Sequence, residues 1–360
     1  MRVCFFHGEP DWSARARVFT EMAGVLAGRG YEITLVCAHG GSAERRMVAL
    51  GREVIGLSMR GGTLQVGWRL RGILRRQFVE VVFVHSEREQ LAAATAVWLA
   101  DRGAVVRRVP PVARLTGGRR ARLGMRLAAT GFLFAFDEDL RAARAPAKAL
   151  EPVVAPPGAA PPPPAALAGG AANGVRTVVV ICDRARDGRL ATALRALALL
   201  AERQPELKIV LMGAECDRDA LRIQAAALRI GSRVAIVDTA TSGETAREQI
   251  AAAVLGWVVA DGDEAASGIL DFLSAGVPVI TERNALSTRL VTDGATGMLA
   301  SGLDATGYAA LLARLLAEPD VRAALSRAAR ESAAKWPLSA TADGFERAAA
   351  AARDRTRWHV

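Results

Sequence analysis

Residues 262–282 read GDEAASGILDFLSAGVPVITE and join a helical segment to the short apolar strand VPVITE. Acidic residues stand at Asp263 and Asp271, which are separated by a little over two helical turns. We therefore predict that both carboxylates face one cleft and accept hydrogen bonds from sugar or ribose hydroxyls. From the spacing alone, the alternative is that Asp263 caps the helix and Asp271 is a solvated helix residue.

The start of this helix is predicted around residues 265–268. The first turn of a helix carries free backbone N–H groups and the positive end of the helix dipole. Anions bind at such positions. We therefore expect the backbone amides of Ala266, Ser267 and Gly268 to hold a phosphate.

Short apolar strands alternate with helical segments on both sides of this stretch. The strand candidates of the first half are residues 2–6, 32–38, 52–58, 79–86, 104–110 and 131–137. Those of the second half are residues 176–183, 208–213, 234–239, 255–261 and 277–282. Such alternation is typical of parallel sheets that helices cover on both faces. The sequence predicts an α/β protein with two Rossmann-like halves.

The stretch PPGAAPPPPAALAGGAANG, residues 156–174, interrupts the alternation. Pro, Ala and Gly dominate it and no charge occurs, so we predict an interdomain linker. The predicted domains are residues 1–155 and 175–335, and residues 336–360 form a closing helix after the break at Pro337. Ligands of such sheets bind at the carboxyl ends of the strands. We therefore expect the two parallel sheets to face each other across a ligand-binding cleft.

The composition excludes several classes of protein. Of the 360 residues, 51% are hydrophobic and 23% charged, which excludes global disorder. No uncharged apolar run of about 18 residues occurs, so no ordinary transmembrane helix is expected, and the start MRVCFFHGEPDW does not resemble a signal peptide. The four cysteines form no CxxC pair, so neither a zinc knuckle nor a dithiol redox site is expected. These features predict a cytoplasmic protein.

The net positive charge is confined to the first half of the chain. Residues 1–150 contain 24 basic and 13 acidic residues, a net charge of +11, whereas the remainder has a net charge of −1. Arginines alternate with apolar residues in residues 67–78 and 118–134. Such segments favour an anionic membrane surface, so we expect peripheral binding at the inner face of the membrane. The alternative is a core-facing helix with a solvated arginine face. No nucleic acid is expected, because no recognition module is present.

Most common catalytic motifs are missing. No GxGxxG follows a strand, and GxxxxGK[ST], GxSxG and HExxH do not occur. With only four histidines, no metal site is expected. His7 and His85 each follow a predicted strand, so we predict that both face a cleft. The alternative is an ordinary buried or exposed histidine.

Arginines also mark the loop after the first strand of the second half, in ICDRARDGRLATAL, residues 181–194. The guanidinium groups of Arg184 and Arg189 suit a diphosphate, because each forms paired charge-assisted hydrogen bonds. A solvated basic loop is the alternative.

The second half resembles the donor-binding domain of glycosyltransferase family 4, which has the two-domain GT-B fold. In ICDRARDGRL, Arg184 stands at the arginine and Arg189 at the lysine of the family's Gly-Arg-Leu…Lys-Gly loop. Asp263 and Asp271 take the positions of the two glutamates in the family's Glu-x7-Glu motif, and LSAGVPV, residues 273–279, is similar to its tail. Two further segments also resemble the family, residues 19–38 and 290–300.

The resemblance implies a retaining glycosyltransferase that uses a nucleotide-diphosphate sugar and neither a metal nor a cofactor. It implies that Arg184 and Arg189 neutralise the leaving diphosphate. It implies further that Asp263 binds the transferred sugar and Asp271 the ribose. The acceptor is unidentified, with a membrane-associated or cell-envelope molecule as one class, and the last helix returns to the first domain.

Several departures from the family pattern support a second hypothesis. Both glutamates of the motif are aspartates, and Glu-Ala-Ala replaces Gly-Phe-Gly. The family's Gly-Gly phosphate loop aligns with Ser13 and Ala14, which the resemblance still places at the donor. Its histidine after the fifth strand has no counterpart in residues 105–111, and its Asn-Gly-Val-Asp is PGAA, residues 157–160. The alternative function is a catalytically inactive glycosyltransferase-like protein that serves as a binding or scaffold subunit for a protein partner.

Overall fold

The computed structural model describes residues 1–113, 115, 118–143, 149–162, 176–183, 188–213, 218–239 and 243–356, with the backbone alone for 243–245 and 355–356. The chain divides into two compact units. Unit 1 comprises Met1–Pro157 and Leu338–Val360, and unit 2 comprises Gly158–Pro337. The last segment of the chain is therefore part of the first unit.

Within the described residues, unit 1 contains a parallel sheet of seven strands in the order β3-β2-β1-β4-β5-β6-β7. The strands are β1 Arg2–His7, β2 Glu32–Ala38, β3 Val54–Leu57, β4 Val81–Val84, β5 Ala104–Arg108, β6 Thr130–Phe134 and β7 Val153–Val154. The direction of the crossovers reverses between β1 and β4. The loops after these two strands therefore flank the crevice in which such sheets bind ligands.

Helices cover both faces of this sheet. They are α1 Ala14–Gly28, α2 Ser42–Ala49, α3 Thr63–Arg76, α4 Glu87–Ala100, α5 Arg119–Leu127, α6 Asp137–Ala142 and, at the end of the chain, α14 Leu338–Thr356. Because successive strand residues point to opposite faces, Val3 and Phe5 pack with α1 and α14, whereas Cys4 and Phe6 pack with α3 and α4.

The last helix completes the core of unit 1. Phe345 of α14 is fully buried, and its ring lies 4.9 Å from that of Phe83 and 5.9 Å from that of Phe5, measured between centroids. A Cβ at Gly344 would lie 2.4 Å from the Cβ of Ala155, so only glycine permits this close approach of helix and strand. The apolar face of the sheet is thus covered only when residues 338–356 are in place.

The described part of unit 2 contains a second parallel sheet, with the order β10-β9-β8-β11-β12-β13. Its strands are β8 Arg176–Cys182, β9 Leu207–Met212, β10 Val234–Val237, β11 Leu255–Val259, β12 Val279–Glu282 and β13 Gly297–Ala300. Here the crossovers reverse between β8 and β11. The ends of these two strands therefore define the second candidate crevice.

The helices of unit 2 are α7 Arg189–Arg203, α8 Arg218–Ala227, α9 Gly243–Ala252, α10 Gly262–Ala275, α11 Ser287–Leu290, α12 Ala305–Ala317 and α13 Pro319–Ala333. A short 3-10 turn, Gly231–Arg233, precedes β10. The helices α7 and α12 pack on the face of the sheet that carries Val178 and Val180. The opposite face carries α10, whose Gly268 lies against Ile181.

The prediction of two parallel sheets covered on both faces is confirmed. Each predicted strand is present, with ends shifted by a few residues. Two strands were not predicted, because β7 is too short to show a period and β13 begins with a glycine in a turn-rich segment. Residues 163–174 of the predicted linker lie outside the described residues. Of the preceding residues, Pro156 and Pro157 belong to unit 1 and residues 158–162 to unit 2, where the N–H of Ala159 donates to the carbonyl of Trp336 at 2.7 Å.

Candidate functional site

Arg189 is the first residue of α7 and lies at the carboxyl edge of the unit 2 sheet. Its guanidinium donates two hydrogen bonds to the carboxylate of Asp261 and lies 3.8 Å from Oε2 of Glu282. The backbone N–H of Asp261 donates to Oδ2 of Asp183 at 2.9 Å. Within the described residues, this edge groups one arginine with three carboxylates from the ends of β8, β11 and β12.

A cavity of about 370 Å³ opens beside this cluster. Its polar lining comes from α7, the end of β12 and α12: Arg189, Thr192, Arg195, Glu282 and Tyr308. Gly188 precedes α7 with φ 80°, a conformation that favours glycine, and the space beside its Cα is open. Guanidinium, carboxylate and hydroxyl groups together suit a ligand that carries both negative charge and hydroxyls.

The contacts of Arg189 are ones that an anionic ligand can replace. The side chain of Asp261 is 66% exposed, and an ion pair so open to water contributes no more than about 1 kcal/mol. Phosphate oxygens form stronger, paired hydrogen bonds with a guanidinium. The three carboxylates weaken the binding of the same anionic ligand, because like charges repel.

Tyr308 presents a neutral hydroxyl to the cavity. Burial raises its pKa, and the charge of Glu282 raises it further, whereas Arg189 lowers it. The phenol therefore keeps its proton at neutral pH and remains a hydrogen-bond donor.

The helix α10 begins earlier than its sequence predicts. It starts at Gly262, and the N–H of Ala265 already donates to the carbonyl of the capping residue at 3.2 Å. The expectation that the amides of Ala266, Ser267 and Gly268 are free is therefore wrong, because these residues lie inside the hydrogen-bond ladder of the helix.

The amides that precede the hydrogen-bond ladder of α10 belong to its first three residues, two of which are acidic. Asp261, not Asp263, is the N-cap, so the capping alternative for Asp263 is wrong as well. Asp263 and Glu264 in the first turn stabilise the helix through its dipole. The same charges disfavour an anion at this helix end.

The structure does not bring Asp271 to the cavity of Arg189. Asp271 is half-buried and lines a separate small pocket with Pro161, Arg247 and Ser274. Asp263 is buried, with 6% of its surface exposed, and lines neither of these two spaces. The sugar and ribose roles of the two aspartates stay predictions.

Arg184 lies outside the described residues. Asp261, Glu282 and Tyr308 were not predicted from the sequence as site residues. The first two were recognisable by position, because each ends or follows a predicted strand at the edge where ligands bind. Tyr308 gives no such signal, since it reaches the site from a helix far along the chain.

The carboxyl edge of the unit 1 sheet holds His7, the last residue of β1, and His85, directly after β4. Their exposed fractions are 1% and 3%, and the rings form an edge-to-face pair with centroids 6.2 Å apart. The helix α1 starts beside them, with Ser13 as its N-cap and Ala14 buried as its first residue. The predicted donor role of Ser13 and Ala14 stays a prediction.

A buried carboxylate joins the two strand ends. Oε1 of Glu89 accepts from the N–H of Gly8 at 2.5 Å, and Oε2 accepts from the N–H groups of His85 and Ser86 at 2.9 and 2.8 Å. Ser86 and Glu89 also form the capping box of α4. The pattern S-x-x-E was present in the sequence, but the bond to Gly8 depends on the sheet order.

We expect the stability of unit 1 to fall as the pH drops below about 6.5. Burial lowers the pKa of His85 well below 6.5, and the nearby charges of Arg108, His7 and Arg15 lower it further. The unfolded chain therefore binds a proton that the folded chain does not. Below the pKa that His85 has in the unfolded chain, the unfolding free energy should decline by up to about 1.4 kcal/mol per pH unit.

Urea titrations from about pH 7.5 to about pH 5.5 measure this slope. His85→Gln is the control. It removes the titrating ring and should therefore reduce the dependence of the unfolding free energy on pH by the contribution of one proton. An equal slope in both proteins would contradict the assignment to His85.

The described residues provide neither a metal site nor a reactive thiol at these two sheet edges. Among the described residues, no group of three or more His, Cys, Asp or Glu is placed to hold a metal ion. Cys4, Cys37 and Cys182 are buried, and burial raises the pKa of the Cys37 thiol to about 12. These thiols are core residues. Cys216 lies outside the described residues.

The basic segments form helices on the outside of unit 1. In α3, Leu70, Ile73 and Leu74 are buried, whereas Trp68 is 65% exposed. The helix α5 exposes Leu123 and four arginines: Arg119, Arg120, Arg122 and Arg126. No described helix is both long and apolar enough to span a membrane.

Comparison with protein families matches residues 172–332 to the model described as glycosyl transferases group 1. A D-inositol 3-phosphate glycosyltransferase of Nocardiopsis dassonvillei is 34% identical over 160 residues. That alignment covers 42% of this chain and 37% of the relative, so the chain matches well under half the length of this curated protein.

Solved structures match nearly the whole chain at low identity. HepE from Anabaena, in complex with UDP-glucose, has a TM-score of 0.73 at 14% identity and covers 96% of this chain and 98% of its own. The pneumococcal O-GlcNAc transferase GtfA, in complex with UDP and GlcNAc, has a TM-score of 0.72 at 9% identity, with coverages of 97% and 98%. A glycosyltransferase from Rickettsia africae has a TM-score of 0.70 at 12% identity and covers 97% of each chain. These similarities show the fold, which is GT-B.

Proposed function

We propose that this chain of GT-B fold is a group 1 glycosyltransferase, similar to glycosyltransferase family 4, and that it transfers a sugar from a nucleotide-diphosphate sugar to a hydroxyl-bearing acceptor. The observation that carries this proposal is Arg189, which stands at the family's lysine position and lines a cavity at the strand ends of the group 1 domain. UDP-glucose bound to HepE and UDP bound to GtfA support a nucleotide sugar as the donor.

In the proposed reaction, Arg189 and Arg184 neutralise the charge that builds on the diphosphate as its bond to the sugar breaks. The acceptor oxygen forms the new bond to the same carbon and loses its proton to the departing phosphate oxygen. We propose retention of configuration because the family resemblance implies it, and no metal because guanidinium groups take the place of a metal at the diphosphate. Asp263 and Asp271 keep their proposed contacts with the transferred sugar and the ribose.

Calorimetric titration of the full chain with UDP and with GDP tests the donor site. We expect one nucleotide to bind with a Kd of about 1 mM or tighter. Incubation with the corresponding nucleotide sugars should then release the nucleotide diphosphate. If neither UDP nor GDP binds, the proposed function loses its support.

The second candidate function is a non-catalytic binding or scaffold subunit. The observation that favours it is the group of carboxylates at the expected diphosphate site: Asp183, Asp261 and Glu282. Like charge at this edge weakens nucleotide binding. A protein that copurifies with a partner and binds no nucleotide would support this function.

We also propose that unit 1 docks on an anionic membrane surface. The exposed Trp68 and Leu123 supply apolar contacts, and the arginines of α5 supply attraction to acidic head groups. Membrane docking would place unit 1 beside a lipid-linked or cell-envelope acceptor.

Replacing Arg119, Arg120 and Arg122 by glutamine should weaken binding to phosphatidylglycerol-containing vesicles by about 100-fold, because each arginine contributes about 1 kcal/mol. Vesicle cosedimentation measures the change. The matched control replaces three exposed arginines of unit 2, Arg203, Arg222 and Arg314. Equal losses in both variants, or equal binding to pure phosphatidylcholine, would contradict docking through α5.

A further inference from the structure

Glu282 and Tyr308 line the cavity of unit 2 and have no role in holding the diphosphate. Glu282 ends β12, and 44% of its side chain is exposed. Its carboxylate lies 3.8 Å from the guanidinium of Arg189, which is beyond hydrogen-bond distance. Within the described residues, no group forms a hydrogen bond with this carboxylate or with the hydroxyl of Tyr308. The cavity therefore offers an acceptor and a hydroxyl to a ligand.

The elements around the cavity hold both side chains in place. Glu282 pairs with Ala300 of the neighbouring strand, and its carbonyl accepts from the hydroxyl of Ser287 at 2.7 Å. The ring of Tyr308 packs on that of Trp257 with centroids 4.7 Å apart. Burial raises the pKa of Tyr308 and the charge of Glu282 raises it further, so the carboxylate and the neutral phenol lie near each other.

These groups suit a neutral ring that carries hydroxyls. A carboxylate accepts hydrogen bonds from hydroxyls and repels phosphate, and a phenol both donates and accepts. Trp257 and Leu303 add apolar surface to the lining, which fits the C–H face of a sugar ring. The volume of about 370 Å³ is near the lower end of the range of about 300–1,000 Å³ for small-molecule sites, so the cavity suits one ring more than a whole nucleotide sugar.

We propose that Glu282 and Tyr308 recognise a hydroxyl-bearing sugar ring that is joined to the diphosphate held by Arg189. The carboxylate accepts from two neighbouring hydroxyls of the ring, and the phenol forms a hydrogen bond with another ring substituent. A nucleotide-diphosphate sugar carries such a ring on each side of the diphosphate, the ribose and the transferred sugar. The inference rests on the proposed function and makes these two residues determinants of donor specificity.

Both residues lie outside the motif to which the family resemblance assigns the contacts with the sugar and the ribose. By resemblance those contacts belong to Asp263 and Asp271, and neither aspartate lines this cavity. Glu282 and Tyr308 reach the cavity from β12 and α12 instead. They therefore supply contacts to the donor that the residues of the motif do not.

Three variants separate hydroxyl recognition from charge. Glu282→Gln removes the negative charge and keeps a side chain of the same shape. Tyr308→Phe removes the hydroxyl and retains the ring that packs on Trp257. Asp261→Asn is the matched control, because Asp261 also pairs with Arg189 but does not line the cavity, and asparagine caps α10 as well as aspartate does. Thermal unfolding checks that each variant folds.

Calorimetry on the full chain compares UDP-glucose, UDP and dideoxy-UDP, which lacks both ribose hydroxyls. The guanine counterparts, with GDP-mannose, replace them if GDP is the nucleotide that binds. In Glu282→Gln, dideoxy-UDP should bind up to about threefold more tightly, because a charge that repels phosphate is lost. The ligand whose ring occupies the cavity should bind about tenfold more weakly relative to dideoxy-UDP, because hydrogen bonds to a charged acceptor are replaced by weaker ones.

The other two variants should behave differently from Glu282→Gln. Tyr308→Phe should weaken the same ligand by about fivefold and leave dideoxy-UDP unchanged. Asp261→Asn should tighten all three ligands equally, since it changes only the charge beside Arg189. The ligand at which the weakening first occurs identifies the ring: UDP indicates the ribose, and UDP-glucose indicates the transferred sugar.

The same titrations separate this inference from the proposed function. If Glu282→Gln changes the binding of all three ligands equally, as Asp261→Asn is expected to do, Glu282 acts only through its charge. The inference alone then fails, and the nucleotide site stands. If neither nucleotide binds to the unaltered chain, the proposed function fails and the inference fails with it.

Discussion

Arg189→Ala should weaken nucleotide-diphosphate binding by about 30- to 1,000-fold. The variant removes a guanidinium that lines the cavity of unit 2 and whose bonds to Asp261 a phosphate can replace. The lost charge-assisted hydrogen bonds are worth about 2–4 kcal/mol, which gives this range of Kd. Since the same group offsets charge on the departing diphosphate in the proposed reaction, turnover should fall by at least as much. Calorimetry with UDP or GDP and release of nucleotide from the nucleotide sugar measure the two effects.

Two matched variants make the result specific. Arg195→Ala removes a second, exposed arginine of the same cavity and should change the Kd by less than about threefold, because an exposed charge contributes little. Arg189→Lys installs the residue that the family resemblance places at this position and should recover most of the binding. Equal losses for Arg189→Ala and Arg195→Ala would mean that general positive charge, not this position, attracts the nucleotide.

Phe345→Ala should lower the unfolding free energy of unit 1 by about 3–5 kcal/mol. The ring is fully buried in the aromatic cluster with Phe5, Phe19 and Phe83, and its removal leaves a cavity at the contact between α14 and the sheet. Hydrogen exchange measured by mass spectrometry resolves the two units, so protection should fall in the strands of unit 1 and persist in those of unit 2.

Two control substitutions test whether the loss of side-chain volume at residue 345 causes the loss of stability. Phe345→Leu retains most of the apolar volume and should cost less than about 2 kcal/mol, whereas Trp98→Ala, at a residue that is 59% exposed, should change the stability by no more than about 0.5 kcal/mol. Loss of protection in the strands of unit 2 would show that α14 does not stabilise unit 1 alone.

The strands were predictable because buried parallel strands require short apolar runs. Residues such as Val178 and Val180 face one side of the sheet while Ile181 faces the other, and both sides are covered by helices. The helix start at α10 was less predictable. Several residues between Asp261 and Gly268 can begin a helix, and the bond from the N–H of Ala265 to the carbonyl of Asp261 decides among them.

The sequence pattern of α3 also did not show which of its apolar residues are buried and which are exposed. The residues Trp68 and Leu70 are both apolar and two positions apart, so they point in different directions on a helix. Only packing against α4 buries Leu70 and leaves Trp68 exposed. The count of apolar residues gave no means to distinguish them.

The sequence by itself determined the two parallel sheets, the resemblance to the group 1 glycosyltransferases and Arg189 as the candidate diphosphate ligand. All three depend on local patterns, because strand periodicity and motif spacing are each contained within a segment of a few dozen residues. Only the tertiary structure shows that Asp261 and Glu282 contact Arg189 and that Asp271 lines a separate pocket. Only the tertiary structure shows, too, that the carboxylate of Glu89 links the backbone of Gly8 to that of His85. These contacts join residues far apart in the chain, so the order of the strands and the packing of the helices decide them.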